Sequence, residues 1–166
     1  MSDEAVPVYR APMRSRRDGV PADAGVRRAL AAGLCGIGGL VDPPPDDLDD
    51  AVAAVAGAYD DRAAHRLRRF AAIPAGAFVW TRSPEGDYWL GRLTGPWRYD
   101  ASPAARTADL VHVRACDWLP EPVPEADVPP ATVRTFGRGG RNLQQTHDPA
   151  IAAQTLAVWR RHRHPA

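Results

Sequence analysis

The chain has 166 residues, 45% of them hydrophobic, which is the size of one domain and enough to bury a real core. Its formal charge of +1 sets 21 basic residues against 20 acidic ones, and every basic residue is arginine, as expected of a GC-rich bacterial coding bias. No stretch approaches the roughly 18 apolar residues of a membrane span, and MSDEAVPVYR lacks the apolar core of an export signal, so a soluble cytoplasmic protein with no membrane partner is expected.

In chain order, residues 6–11 (VPVYRA) have the β-branched and aromatic content of a first strand, followed by a basic polar loop through Arg14, Arg16, Arg17 and Gly19. Residues 23–32 predict a short helix with Val26, Ala29 and Leu30 on one face, stopped by Gly33. Residues 34–41 (LCGIGGLV) predict a second strand. Its glycines suit either a pocket wall or a tight strand crossing. The spacing is not GxGxxG, and no dinucleotide fold is expected.

Residues 46–70 alternate with a helical period and predict two helices, or one broken near Gly57. Asp46 and Asp47 suit the N-terminus, and Arg66, Arg68 and Arg69 the last turn. AFVWTR and YWLGRLTG then predict a hairpin, and DLVHVRACDWL a further strand, with SPEGD and DASPAARTA as separators. Residues 121–130 read as a Pro-rich connector and residues 131–136 as another short strand. After the segment GRGGRN, Asp148 caps a closing helix over Ala152, Leu156, Val158 and Trp159.

Catalysis finds little support. There is no GxSxG elbow, no HExxH helix and no Walker lysine, and the five histidines are scattered. Cys35 and Cys116 form no CxxC pair and share no zinc-like spacing with histidine. Neither a metal nor another cofactor is expected. Acids crowd into residues 42–61 while arginines cluster at 10–17, 62–69, 134–141 and 160–163, so a nearly neutral chain can still present a basic face. Of the aromatics, Trp118 and one of Tyr88 and Trp89 belong to the core by strand alternation. Trp97 and Tyr99 follow a Gly-Pro turn, where a loop can bring rings to a base face.

The segment IPAGAFVWTRSPEGDYWLGRLTGPWRYD followed by HVRACDWL resembles PUA-like domains, relatives of the EVE and YTH folds, found in bacterial modification-dependent restriction proteins. VYRAP and GLCGIGG extend the likeness over residues 6–136. Gly39 stands where relatives often carry Trp, and Ala77 where Asp is usual, so another aromatic would have to supply one pocket wall. The resemblance implies an α+β fold, a PUA-like twisted β-barrel flanked by helices, as one domain over residues 1–166. Residues 6–136 would form the barrel with its helices and 137–166 the basic Gly/Arg loop and C-terminal helix.

It further implies a reader, without catalysis, of a methylated base in double-stranded DNA. 5-Methylcytosine, ahead of N6-methyladenine, is the expected mark and base flipping the expected mode, with a separately encoded nuclease as a candidate partner. The expected base pocket is Trp80, Trp97, Tyr99, Asp100, Ile37 and Gly38. Contacts to the nucleic-acid backbone fall to Arg10, Arg14, Arg16, Arg17, Arg82, Arg98, Arg138 and Asn142. A modified-RNA reader, an unrecognised nuclease or hydrolase, and a protein adaptor stay open as alternatives.

Overall fold

Short β-rich runs and amphipathic helices assemble, in the computed structural model, into a curled mixed sheet that forms a half-barrel flanked by helices; residues 6–163 are described. The strands are β1 (Val8–Arg10), β2 (Leu34–Ile37), β3 (Phe78–Arg82), β4 (Tyr88–Leu93), β5 (Arg98–Tyr99), β6 (His112–Trp118) and β7 (Gln144–Gln145). The helices are α1 (Ala24–Ala32), α2 (Leu48–Ala58), α3 (Asp61–Ala72), α4 (Pro103–Ala108), α5 (Pro130–Gly137) and α6 (Ile151–Arg163). Strand order is β2-β6-β4-β3-β1-β7, with β5 also on β6, and β1 on β3 is the parallel pair. β6 pairs β2 and β5 through its first residues and β4 through its last, which is where the sheet turns.

The boundaries follow local chemistry. Gly33 ends α1 with φ 68, in the left-handed region that glycine enters without strain. Asp47 and Asp60 cap α2 and α3, each accepting from the backbone N–H three residues on. The break between these helices therefore falls at Tyr59 and Asp60, just past Gly57.

Three expectations are corrected. Residues 131–136 are helix α5, not a strand: Pro130 occupies the first turn, where its missing N–H costs nothing, and Ala131, Thr132 and Thr135 form the buried face. Strand β2 stops at Ile37, short of Val41. Within DASPAARTA, Ser102 caps and Pro103 opens the unexpected helix α4.

The main core joins both faces of the sheet. Trp159 of α6 packs on Phe78 with centroids 5.6 Å apart, and Tyr88 meets Phe136 of α5. A smaller core of Val41, Ala51, Val55, Ala64 and Leu67 holds α2 and α3 against Ile37, Trp97 and Tyr99. Arg114, 2% exposed, links the two. Its guanidinium donates to the Phe70 and Ile73 carbonyls at 3.0 and 2.6 Å, completing the C-terminal end of α3, and to the Gly95 carbonyl at 2.9 Å.

Candidate functional site

Between the sheet and α3 lies a cleft of about 910 Å³. Its walls come from β1, the loop after β1, the segment after β2, the α2–α3 junction, α3 and residues 141–147. Six arginines line it: Arg14, Arg16, Arg17, Arg66, Arg69 and Arg141, against two acids, Asp60 and Asp109. Both acids are engaged within the fold. Asp60 caps α3, while Asp109, 5% exposed, accepts from Ser15 Oγ at 2.6 Å and from the Gly39 N–H at 3.3 Å, with Arg17 4.0 Å away.

Among the described residues, Arg14, Arg66, Arg69 and Arg141 make no hydrogen bond and no ion pair. Burial holds the Arg66 guanidinium below its ordinary pKa, and the nearby Arg16 charge pushes the same way. Cations that outnumber the acids of a concavity six to two repel one another and focus a positive potential into it. Such an arrangement opposes folding slightly and favours an anionic ligand.

The floor is built for close approach. At Gly36 a Cβ would lie 2.7 Å from the His112 carbonyl, and at Gly38 it would lie 2.6 Å from Asp109 Oδ2. Only backbone and the half-buried Ile37 therefore face the cleft along this edge, with Val55 and Leu67 beside them. Tyr9 and Tyr59 supply the rings. Tyr59 is 47% exposed at the rim and is fixed by its hydroxyl, which donates to the Leu40 carbonyl at 2.7 Å.

Of the expected base pocket, Ile37 and Gly38 line the cleft and the other four residues do not. Trp80 is 1% exposed in the core, its indole N–H donating to Thr155 of α6 at 3.3 Å, because α6 covers the sheet face on which Trp80 stands. Trp97 and Tyr99 enclose His112 instead. Trp97 stacks on the imidazole at 6.1 Å and donates to its Nδ1, and Tyr99 meets it edge-on while donating to the Val41 carbonyl. His112 Nε2 in turn donates to the Gly39 carbonyl at 2.9 Å, so these rings support the cleft floor from behind. Asp100 is paired with Arg28 at 2.7 Å. Burial works to raise its pKa, but the hydrogen bonds from Arg28 and Ser102 hold the carboxyl below its ordinary value.

Of the expected backbone contacts, Arg14, Arg16, Arg17 and Asn142 line the cleft, and Arg16 hydrogen-bonds the Asn142 side chain across two loops. Arg10 does not reach the surface. At 5% exposure its guanidinium donates to the carbonyls of Thr135, Gly139 and Asn142 and to Gln144 Oε1, pinning residues 139–144 onto β1. Arg82 lies over the Tyr88 ring and lines a separate hollow of about 240 Å³, while Arg98 and Arg138 are exposed outside both. Sequence reasoning missed Tyr9, Tyr59, Arg66, Arg69, Arg141 and Asp109. The i,i+3 spacing of Arg66 and Arg69 was a signal for a shared helix face.

Among the described residues no group of three or more His, Cys, Asp or Glu side chains could hold a metal ion. Cys35 and Cys116 are buried free thiols, and burial pushes the Cys35 thiol up to about 12, out of reach of nucleophilic use. No family model matches the chain, and no curated protein matches it.

Proposed function

We propose that the protein is a non-catalytic reader of a methylated base, 5-methylcytosine, in double-stranded DNA, and that it takes the flipped nucleotide into the arginine-lined cleft. The observation that carries this reading is the set of unpaired arginines around a floor of glycine backbone and apolar side chains. Arginine binds phosphate oxygens bidentately, and four such side chains with no internal partner suit the phosphates flanking one extruded nucleotide. Tyr59 offers the exposed ring that the missing aromatic at Gly39 calls for, and the half-buried Ile37, backed by Val55 and Leu67, offers apolar surface to a methyl group.

Flipping costs a few kcal/mol, which stacking at about 1 to 3 kcal/mol per base and the phosphate contacts offset. Burying one methyl group contributes about 0.8 kcal/mol, so the preference for the mark from transfer alone is about fourfold. The curled half-barrel flanked by helices is compatible with a PUA-like module, in keeping with the sequence resemblance. In this reading the protein works in the cytoplasm, recognises the mark alone, and a separately encoded nuclease acts on the DNA.

A mobility-shift titration with methylated and unmethylated duplexes of one sequence tests the proposal. Tighter binding of the methylated duplex is expected. Equal affinity for both sinks the reader role, and tighter binding of a matched modified RNA reassigns the polymer.

A further inference from the structure

The second hollow lies directly across a ridge from the cleft. Pro12, Arg14, Gly139 and Gly140 face the hollow, whereas Met13, Arg14, Arg16, Arg17 and residues 141–145 face the cleft, so two loop segments form the divide and Arg14 lines both sides. The ridge is stiffened from beneath and across. Arg10 donates to four residues between 135 and 144, Ala11 N–H donates to Trp80 O at 2.9 Å, and Arg16 joins Asn142 over the top. On the far side, the hollow's exposed cation is Arg82, carried on β3. Its acid, Asp23, is already engaged by Arg27 at 2.6 Å.

A single strand needs one basic track. Two basic concavities divided by a rigid ridge fit two strands. We infer that the ridge of residues 12–17 and 138–142 is a strand separator for duplex DNA, with the strand bearing the extruded base on the cleft side and the backbone of the opposite strand held over the second hollow by Arg82. This rests on the reading of the cleft as a nucleotide site, and it adds where the opposite strand of the duplex lies and which residue holds it. When a nucleotide leaves the stack its partner strand is left without support, and the ridge with its crest residue Arg14 is placed to fill that gap while both backbones stay in contact with cations.

Fluorescence-anisotropy titrations over a range of salt, with one methylated sequence as single strand and as duplex, test this. For wild type, each phosphate contact adds about 0.9 to the salt slope on duplex. Arg82→Gln is expected to lower the duplex slope by about 0.9 while leaving single-strand binding unchanged, and Arg82→Lys to restore the duplex slope. Arg69→Ala, on the cleft side, is expected to weaken both ligands.

A duplex slope unchanged by Arg82→Gln, or an equal loss on both ligands, overturns the two-strand assignment. Both Arg82 variants are first matched to wild type in melting temperature, and a paired loss of melting and of binding in the Gln and Lys variants alike also overturns it. Equal wild-type affinity for methylated and unmethylated duplex refutes the methyl reading while the Arg82 comparison still decides the ridge. Failure of wild type to bind either polymer overturns both.

Discussion

Replacing Arg10 by methionine keeps the length of the side chain and removes its guanidinium. In the native fold that group is buried and donates to the carbonyls of Thr135 at 2.9 Å, Gly139 at 2.9 Å and Asn142 at 3.2 Å, and to Gln144 Oε1 at 2.9 Å. The contact with Thr135 O is fully buried, and leaving such an acceptor unsatisfied costs about 1 to 3 kcal/mol. The other acceptors are partly exposed and regain water, and relief of the desolvated cation offsets some of the loss; burial already holds its pKa below the ordinary arginine value. A net cost of about 2 to 3 kcal/mol follows, which lowers the melting temperature of a domain of this size by roughly 4 to 12 °C. Thermal unfolding by circular dichroism, with hydrogen exchange on residues 137–145, is the assay, and faster exchange in that segment is expected beside the lower midpoint. A variant that keeps both its midpoint and its loop protection yet loses DNA affinity would refute the reasoning and make Arg10 a direct phosphate ligand.

Tyr59→Ala should weaken DNA binding roughly five- to 150-fold, the worth of one stacked base, while shifting the melting temperature little because the ring is at the rim; affinity within twofold of wild type would remove Tyr59 from the site. Trp80→Ala should cost about 3 to 5 kcal/mol of stability in denaturant titrations and leave the affinity of the folded fraction intact; loss of binding with stability unchanged would return Trp80 to the pocket. Burial holds the His112 imidazole below its ordinary pKa of 6.5, against the opposing pull of the Gly39 carbonyl and Asp109. As pH falls below 6.5 the unfolded chain therefore takes up a proton that the folded one resists. Melting temperature should drop between pH 7.5 and 5.5 in wild type and show a smaller drop in His112→Gln, and identical pH profiles for the two would contradict this linkage.

Much of the secondary structure was legible because its signals are local. Gly33 as a stop, Asp47 at a helix start and the hairpin around SPEGD all act within a few residues of themselves. Helix α5 was misread because Thr132, Val133 and Thr135 carry strand-like side chains, and tertiary packing of one face outweighs that preference. Trp80 was expected in the pocket from the resemblance alone, and nothing local corrects that: Phe78, Val79, Trp80 and Thr81 are all buried, and α6, some seventy residues further along, covers the face on which Trp80 stands. The cleft itself was half legible: the basic loop and the glycines were seen, whereas Arg66 and Arg69 were accounted for by the helix dipole. Their meeting with the loop after β1 is a fact of the tertiary fold alone.

The hydrogen bonds from Arg114 have a consequence for the order of assembly. They span 41 and 44 residues to reach the last carbonyls of α3, and so they form only when β6 has taken its place in the sheet. Until then the helix that carries Arg66 and Arg69 lacks its terminal partners, and its pitch against the sheet is unset. The arginine-lined wall of the cleft and the packing of β6 are thereby completed together, and a chain without β6 in place displays its arginines without the geometry of the folded cleft.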